Sequence, residues 1–142
     1  MAQAFNKFHQ FAEDLCKGVH NFTSDATCTV TLALSASGSA PVASNSLLSH
    51  LTQIAYTNLS SRVVTGITAE QTTGTVDLTA TDLVLTASGG AVAAFRYISL
   101  YNDDPTSPLD PLIGWYDLGS DITLADGQTL TLDFVTGILT LA

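Results

Sequence analysis

The sequence predicts a mainly β protein: an antiparallel β-sandwich or jelly roll of about eight strands with an N-terminal helix. Three observations carry this prediction. Short runs in the second half alternate apolar and polar residues, as in Leu130-Thr131-Leu132-Asp133-Phe134. Turn residues such as Ser88-Gly89-Gly90 and Ala125-Asp126-Gly127 separate the runs. The chain also contains 20 Thr and 13 Ser, and β-branched Thr suits a half-exposed strand.

The N-terminal segment has a helical pattern instead. Apolar residues recur there at steps of three and four, which predicts a helix over residues 3–17 that ends near Gly18. The apolar stripe comprises Phe5, Phe8, Phe11, Ala12, Leu15 and Val19. We therefore expect an N-terminal helical arm over residues 1–24 and a β-sandwich domain over residues 25–142. The arm either covers one end of the sheet or docks on a neighbouring subunit.

The rest of the chain predicts strands joined mostly by short turns. The strand segments, in order, are residues 27–34, 62–67, 74–79, 83–87, 91–101, 112–118, 122–124, 128–134 and 138–141. Residues 46–55 predict a short helix, with Asn45 or Ser46 as its N-cap. Residues 102–111 contain three prolines and are expected to be irregular.

Turn chemistry predicts which of these strands pair. Ser88-Gly89-Gly90 predicts a hairpin between the strands on either side of it. Asp126-Gly127 predicts a second hairpin in the same way. The alternating aromatic residues of Phe95-Arg96-Tyr97-Ile98-Ser99-Leu100-Tyr101 are typical of a central strand.

The charge balance excludes several classes of partner. Four basic residues face 13 acidic ones, which gives a net charge of -9. A nucleic-acid backbone or an anionic membrane surface requires clustered Lys and Arg, so we expect neither partner. No apolar run approaches the roughly 20 residues of a membrane span. The sequence start lacks a signal-peptide pattern, and we expect Cys16 and Cys28 to stay reduced.

One constellation near the N-terminus has a spacing that could suggest zinc. His9, Glu13, Cys16 and His20 follow one another at steps of four, three and four, which would place them on one face of a continuous helix. Because Gly18 is expected to end that helix before His20, the geometry is broken. We interpret these residues as surface side chains and expect no zinc site.

The proline-rich loop could suggest calcium instead. Asp103, Asp104 and Asp110 lie close together in sequence, and Ca²⁺ binds clustered carboxylates. The loop lacks the Asp-x-Asp-x-Asp-Gly periodicity of a dedicated site, so turn chemistry is the favoured interpretation and calcium stays an open alternative. We find no serine-nucleophile, phosphate-loop or zinc-protease motif. We therefore expect no cofactor and no enzyme.

Aromatic residues are the candidates for a binding surface. The only Trp, Trp115, adjoins Tyr116, and this pair could form a sugar platform, an interface anchor or part of the core. The candidate interface residues are Phe5, Phe8, Phe11, Leu15, Trp115 and Tyr116.

A further pattern extends over nearly the whole chain, in residues 6–8, 14–21, 40–45, 95–103, 111–117, 123–128, Phe134 and 137–139. In these segments the chain resembles small virion proteins of tailed bacteriophages. The resemblance implies a capsid decoration (cement) protein, made in the host cytoplasm, that binds the outside of the head. Its partners would be the major capsid protein and itself, as a trimer rather than a dimer. The alternative is a tail or fibre-associated host-recognition protein that binds carbohydrate or protein.

Overall fold

The computed structural model describes residues 3–142, and this part of the chain is mainly β. It contains nine strands in antiparallel sheets and one α-helix, which confirms the predicted class. The elements in chain order are β1 (Phe5–Lys7), α1 (His9–Cys16), β2 (Val30–Ser35), β3 (Thr68–Thr72), β4 (Thr75–Thr79), β5 (Leu83–Thr86), β6 (Phe95–Asn102), β7 (Leu112–Ile122), β8 (Thr129–Leu132) and β9 (Leu139–Leu141).

The largest sheet has four strands in the order β1-β7-β6-β2. As predicted, the aromatic strand β6 lies inside this sheet, and both of its faces are buried. Because side chains alternate along a strand, Leu32 and Leu100 point to one face while Ala33 and Ser99 point to the other. The four-stranded sheet therefore contributes to two apolar clusters, one on each face.

The first face packs against two smaller sheets, with the orders β3-β4-β9 and β5-β8. Leu34 and Ile98 of the large sheet share one cluster of buried residues with Leu78 of β4, Leu85 of β5 and Leu132 of β8. All three sheets thus contribute to a single main core.

The long connection over residues 36–67 packs Val64 and Ile67 into the main core, and only its earlier part covers the second face. Leu48 and Leu51 pack there against the buried side chains of Phe8 and Tyr101. Of the helix predicted over residues 46–55, only the 3-10 turn Leu48–His50 forms. The connection instead directs its backbone N–H groups to neighbouring chain segments, as when the Leu48 N–H donates to the Asp110 carbonyl over 2.9 Å.

The N-terminal segment begins as a strand, and the predicted helix starts only at His9. Phe5 pairs with Tyr116 and Lys7 pairs with Gly114 in an antiparallel ladder. Gly114 permits this approach, because a Cβ atom there would overlap the Phe5 ring and lie 2.6 Å from the Asn6 carbonyl oxygen. Sheet pairing has overridden the helical periodicity of these residues. Residues 1–2 of the predicted arm lie outside the described residues.

Both hairpins predicted around glycine turns are wrong. Strand β5 pairs with β8, so that Leu83 lies opposite Leu132. The two predicted turns instead lie against each other, since the Gly89 N–H donates to the Asp126 carboxylate over 2.9 Å. The hairpin that does form in this region joins β3 to β4, and its Thr73-Gly74 turn has positive φ angles of 49° and 88°.

Candidate docking groove along the C-terminal strand

Two sheet edges face each other across a groove. Strand β9 is the edge of the three-stranded sheet, and β1 is the edge of the four-stranded sheet. Within residues 3–142 neither strand pairs with the other. The opposite edge of the four-stranded sheet is covered, because the Leu32 N–H donates to the Arg62 carbonyl over 3.0 Å and the Val64 N–H to the Val30 carbonyl over 2.8 Å. An uncovered strand edge offers backbone hydrogen-bonding groups to another chain.

Three cavities that share Leu139 line this region, and we call them together the β9 groove. Their volumes are about 490, 340 and 250 Å³. The largest lies on the inner face of the three-stranded sheet, beside Leu15 and Phe22. The other two lie between β1 and β9 and share Phe5. The inner-face lining from β4 and β9 is Val76, Leu78, Leu139 and Leu141.

The position of β9 is set by a hydrogen bond from the four-stranded sheet. The Tyr116 hydroxyl donates to the Ile138 carbonyl over 2.7 Å, directly before β9 begins. Burial raises the pKa of Tyr116 to about 12, so the hydroxyl keeps its proton and remains a donor. The Phe5 ring packs edge-on against Tyr116 with ring centroids 5.5 Å apart, and this contact forms one wall of the groove.

A neutral histidine borders the largest cavity. His20 is 4% exposed and lies between Phe11 and Phe22, with ring centroids 5.2 and 5.8 Å away. Burial lowers the pKa of His20 to about 4, which keeps the ring uncharged near neutral pH. Its Nδ1 is 3.3 Å from the amide nitrogen of Asn102, which can only donate. The proton therefore sits on Nε2, which has no hydrogen-bond partner among the described residues.

The outer face of the three-stranded sheet is polar and acidic. Glu70 on β3 lies directly opposite Asp77 on β4, and Asp77 lies opposite Thr140 on β9. The Thr140 hydroxyl donates to the Asp77 carboxylate over 2.7 Å. Like charges directly opposite each other on neighbouring strands are destabilising. On the other side of the groove, Lys7 of β1 lines the cavity of about 340 Å³, which we call the middle cavity.

The structure divides the predicted interface residues into two groups. Phe8, Phe11 and Tyr116 are at most 2% exposed, so their side chains belong to the protein's own core and are not available at its surface. Trp115 is partly buried against Phe8, with ring centroids 4.6 Å apart. Phe5 and Leu15 are also partly buried, but both line the β9 groove. Phe11 and Tyr116 also line the groove, with buried side chains. Four of the six predicted residues thus border the candidate site, and of these four Phe5 and Leu15 are partly exposed.

Trp115 and Tyr116 point to opposite faces of the same strand. Tyr116 joins the main core, whereas Trp115 joins the cluster beneath the long connection. Tyr101 on β6, in the same cluster as Trp115, is 5% exposed. These three rings do not form an exposed aromatic platform.

Sequence analysis missed the contribution of β9 to the groove. Leu139-Thr140-Leu141 was recognised as a terminal strand, but its alternation does not show which strand it will pair with. The only signal in the sequence was that this short apolar run is not joined by a predicted tight turn to a neighbouring strand. Which edges remain open depends on the pairing of all strands together.

The constellations considered for metals do not converge in the fold. Within residues 3–142 no group of three or more His, Cys, Asp or Glu side chains could hold a metal ion. His20 is enclosed by aromatic rings, as described above. Asp104 accepts a hydrogen bond from the Thr29 hydroxyl over 3.2 Å, so it ties the proline-rich loop to the segment directly before β2. Cys16 is exposed and Cys28 is buried, and both are free thiols.

The chain was compared with protein-family models, with curated proteins and with solved structures, and none of the three comparisons returned a match. Within the described residues, no helix has the length and apolarity needed to cross a membrane.

Proposed function

We propose that the protein is a capsid decoration (cement) protein of a tailed bacteriophage, which binds the outside of the head and stabilises the lattice of the major capsid protein. The observation that carries the proposal is the β9 groove: a recessed, largely apolar surface between two free sheet edges. The phage resemblance of the sequence supports the same role.

The surface chemistry is consistent with attachment rather than catalysis. Charged residues make up only 12% of the chain, and contact surfaces with few charges leave few of them buried without a partner. An apolar groove with a polar rim resembles the anatomy of specific protein interfaces. We propose a binding role on the capsid exterior, with the major capsid protein and further copies of this chain as partners.

Several copies acting together would strengthen weak individual contacts. A trimer that touches several capsid subunits at once converts the later binding events into intramolecular ones, which raises the overall affinity without any new contact. We also propose that the three sheets form a sandwich related to the jelly roll, because residues from all of them share one core.

Copy number tests this function. Quantitative mass spectrometry of purified virions that carry the chain should find on the order of hundreds of copies, in a simple ratio to the major capsid protein, as closed symmetry requires. A count of a few to a few dozen copies would contradict the capsid role and support the tail or fibre alternative.

A direct binding assay complements this count. Purified protein should coat heads from which it has been removed, and coated heads should resist heat or osmotic shock longer than bare ones. Deletion of residues 1–22 is unsuitable for this assay, because it would remove Phe8 and Phe11 from the core. Point variants in the β9 groove are the appropriate probes.

A further inference from the structure

We infer that the β9 groove takes an extended segment of the partner protein as an added β-strand beside β9, and that this segment alternates apolar and basic residues. The inference rests on the proposed function for the identity of the partner, a capsid subunit. The site and the chemistry of the segment follow from the protein itself.

The backbone geometry of the groove suits strand addition. Strand β9 has β4 on one side and the cavities toward β1 on the other. Peptides that add a strand to a sheet edge gain affinity from main-chain hydrogen bonds and specificity from pockets for alternate side chains. The outer edge strand β3 borders the largest cavity but not the two cavities between β1 and β9, and all five of its residues are exposed.

The inner side of an added strand would meet apolar surface. The middle cavity is lined by Phe5 and Phe11 and by residues 139–141. Because successive side chains of a strand alternate between the two faces of a sheet, every second residue of the segment would enter this cavity. Those residues are therefore expected to be apolar.

The outer side of the added strand would meet acidic surface. Asp77 on β4 lies opposite Thr140 on β9, so two strand spacings, about 10 Å, separate it from the backbone of a strand added beside β9. A long Lys or Arg side chain of the added strand can span this distance. Glu70 is adjacent to Asp77, and neither carboxylate has an ion-pair partner among the described residues. A cation from the partner would offset the repulsion between them.

Charge also argues against a second copy as the occupant. Each chain carries a net charge of -9, so two acidic surfaces would be brought together at the groove. Because Lys7 lines the middle cavity, a basic residue that entered this cavity would meet a like charge. The segment is therefore expected to alternate apolar and basic residues rather than to be basic throughout. Its basic residues face the outer acids while its apolar residues face Lys7 and the rings.

The test uses the full-length protein and synthetic peptides of about seven residues, the usual length of a strand. One peptide alternates Val and Lys, a second alternates Val and Glu, and a third has the Val/Lys composition with Pro at its centre, which removes a ladder donor. Amide shifts and amide hydrogen exchange are followed by NMR during titration to millimolar concentration. We expect the Val/Lys peptide to shift and protect amides of residues 139–141, and the other two to bind at least about tenfold more weakly.

A charge variant adds a matched control. The double substitution Glu70→Gln and Asp77→Asn should weaken Val/Lys binding about three- to tenfold without lowering Tm, because it relieves repulsion. Asp103→Asn with Asp110→Asn makes the same charge change in the proline-rich loop, which lines none of the three cavities, and should change the affinity by less than about twofold.

Two results would overturn the inference: equal binding of the Val/Glu peptide, or the absence of any perturbation at β9. The outcome is separable from that of the proposed function. If the protein coats heads but the peptides do not bind at β9, this binding mode is wrong and the capsid role stands. If the protein does not coat heads, the capsid role is wrong whatever the peptides do.

Discussion

The four-stranded sheet and the three-stranded sheet are built from the same kinds of strand residues. They differ in which of their faces and edges are covered by other parts of the protein. In the first, the main core covers one face, the part of the long connection around Leu48 and Leu51 covers the other, and one of its two edges is closed. In the second, only the inner face is apolar, the outer face carries Thr and acidic side chains, and β3 is exposed throughout. The large sheet is therefore covered on both faces, while the small one leaves its outer face and β3 exposed.

The N-terminal segment connects these two regions. Phe8 and Phe11 are buried in separate clusters on either side of the large sheet. Phe5, only three residues earlier, forms part of the groove that leads to the small sheet. The same short segment thus contributes to both stability and the candidate site, and substitutions within it separate the two roles.

The largest expected effect is the loss of Phe8. Phe8→Ala should lower the free energy of unfolding by about 3–5 kcal/mol, because it removes a fully buried ring and leaves a cavity. Thr72→Ser on the exposed strand β3 is the control and should change it by less than about 0.5 kcal/mol. Urea denaturation measures both. A stable Phe8→Ala protein would mean that the segment projects as a free arm.

A smaller effect is expected at Gly114, where β1 pairs with β7. Gly114→Ala should cost about 1–3 kcal/mol, because the added methyl group would collide with Phe5 and the Asn6 carbonyl. Hydrogen exchange of the β1 amides should accelerate more than that of β6. Gly38→Ala is the matched control, since a Cβ atom there has nothing within 4 Å. Unchanged exchange in β1 would contradict the tight pairing of β1 with β7.

The third effect is a pH dependence from His20. Its pKa falls from 6.5 to about 4 on burial, so between these values the unfolded chain binds a proton that the folded protein does not. The contribution of His20 to stability should therefore fall as the pH drops through this window and level off below about pH 4, with a loss on the order of 3 kcal/mol.

The control variant for this pH dependence is His20→Gln, whose side chain keeps an acceptor for the Asn102 amide but does not titrate. Carboxylates with lowered pKa values, such as Asp117 beside Arg96, also lose stabilisation in acid. The difference between the two proteins above about pH 4.5 isolates the histidine, because those carboxylates titrate mainly below it. Parallel stability curves for wild type and variant would show that His20 is solvated in the folded protein.

Local pattern was sufficient for the type of most elements. The aromatic alternation of residues 95–101 correctly predicted a strand inside a sheet, and the terminal run Ile138 to Leu141 correctly predicted a strand. The same local pattern failed for Phe5–Lys7, because three-residue spacing of Phe is compatible with both a helix and a strand followed by a helix. The strand forms where the missing side chain of Gly114 lets β1 approach β7.

The candidate site could be predicted only in part. Phe5 and Leu15 were recognisable as apolar residues in an exposed-looking segment, and both line the groove. The acidic pair of Glu70 and Asp77 could not be predicted as neighbours without the exact register of the β3–β4 hairpin. The free edge of β9 depends on the pairing of β4 with a strand that lies far away in sequence.

By itself the sequence determined the class of this protein: alternating Thr-rich runs produce strands, and four basic residues against 13 acidic ones produce an acidic surface. The strand pattern is a local property and the net charge is a sum over residues. Both can therefore be read from the residue alternation and the composition of the sequence. The tertiary structure alone decided which strands pair, which aromatic rings are buried and which edges stay open. Those outcomes depend on long-range contacts, in which the burial of one shared core outweighs the preference of any single turn.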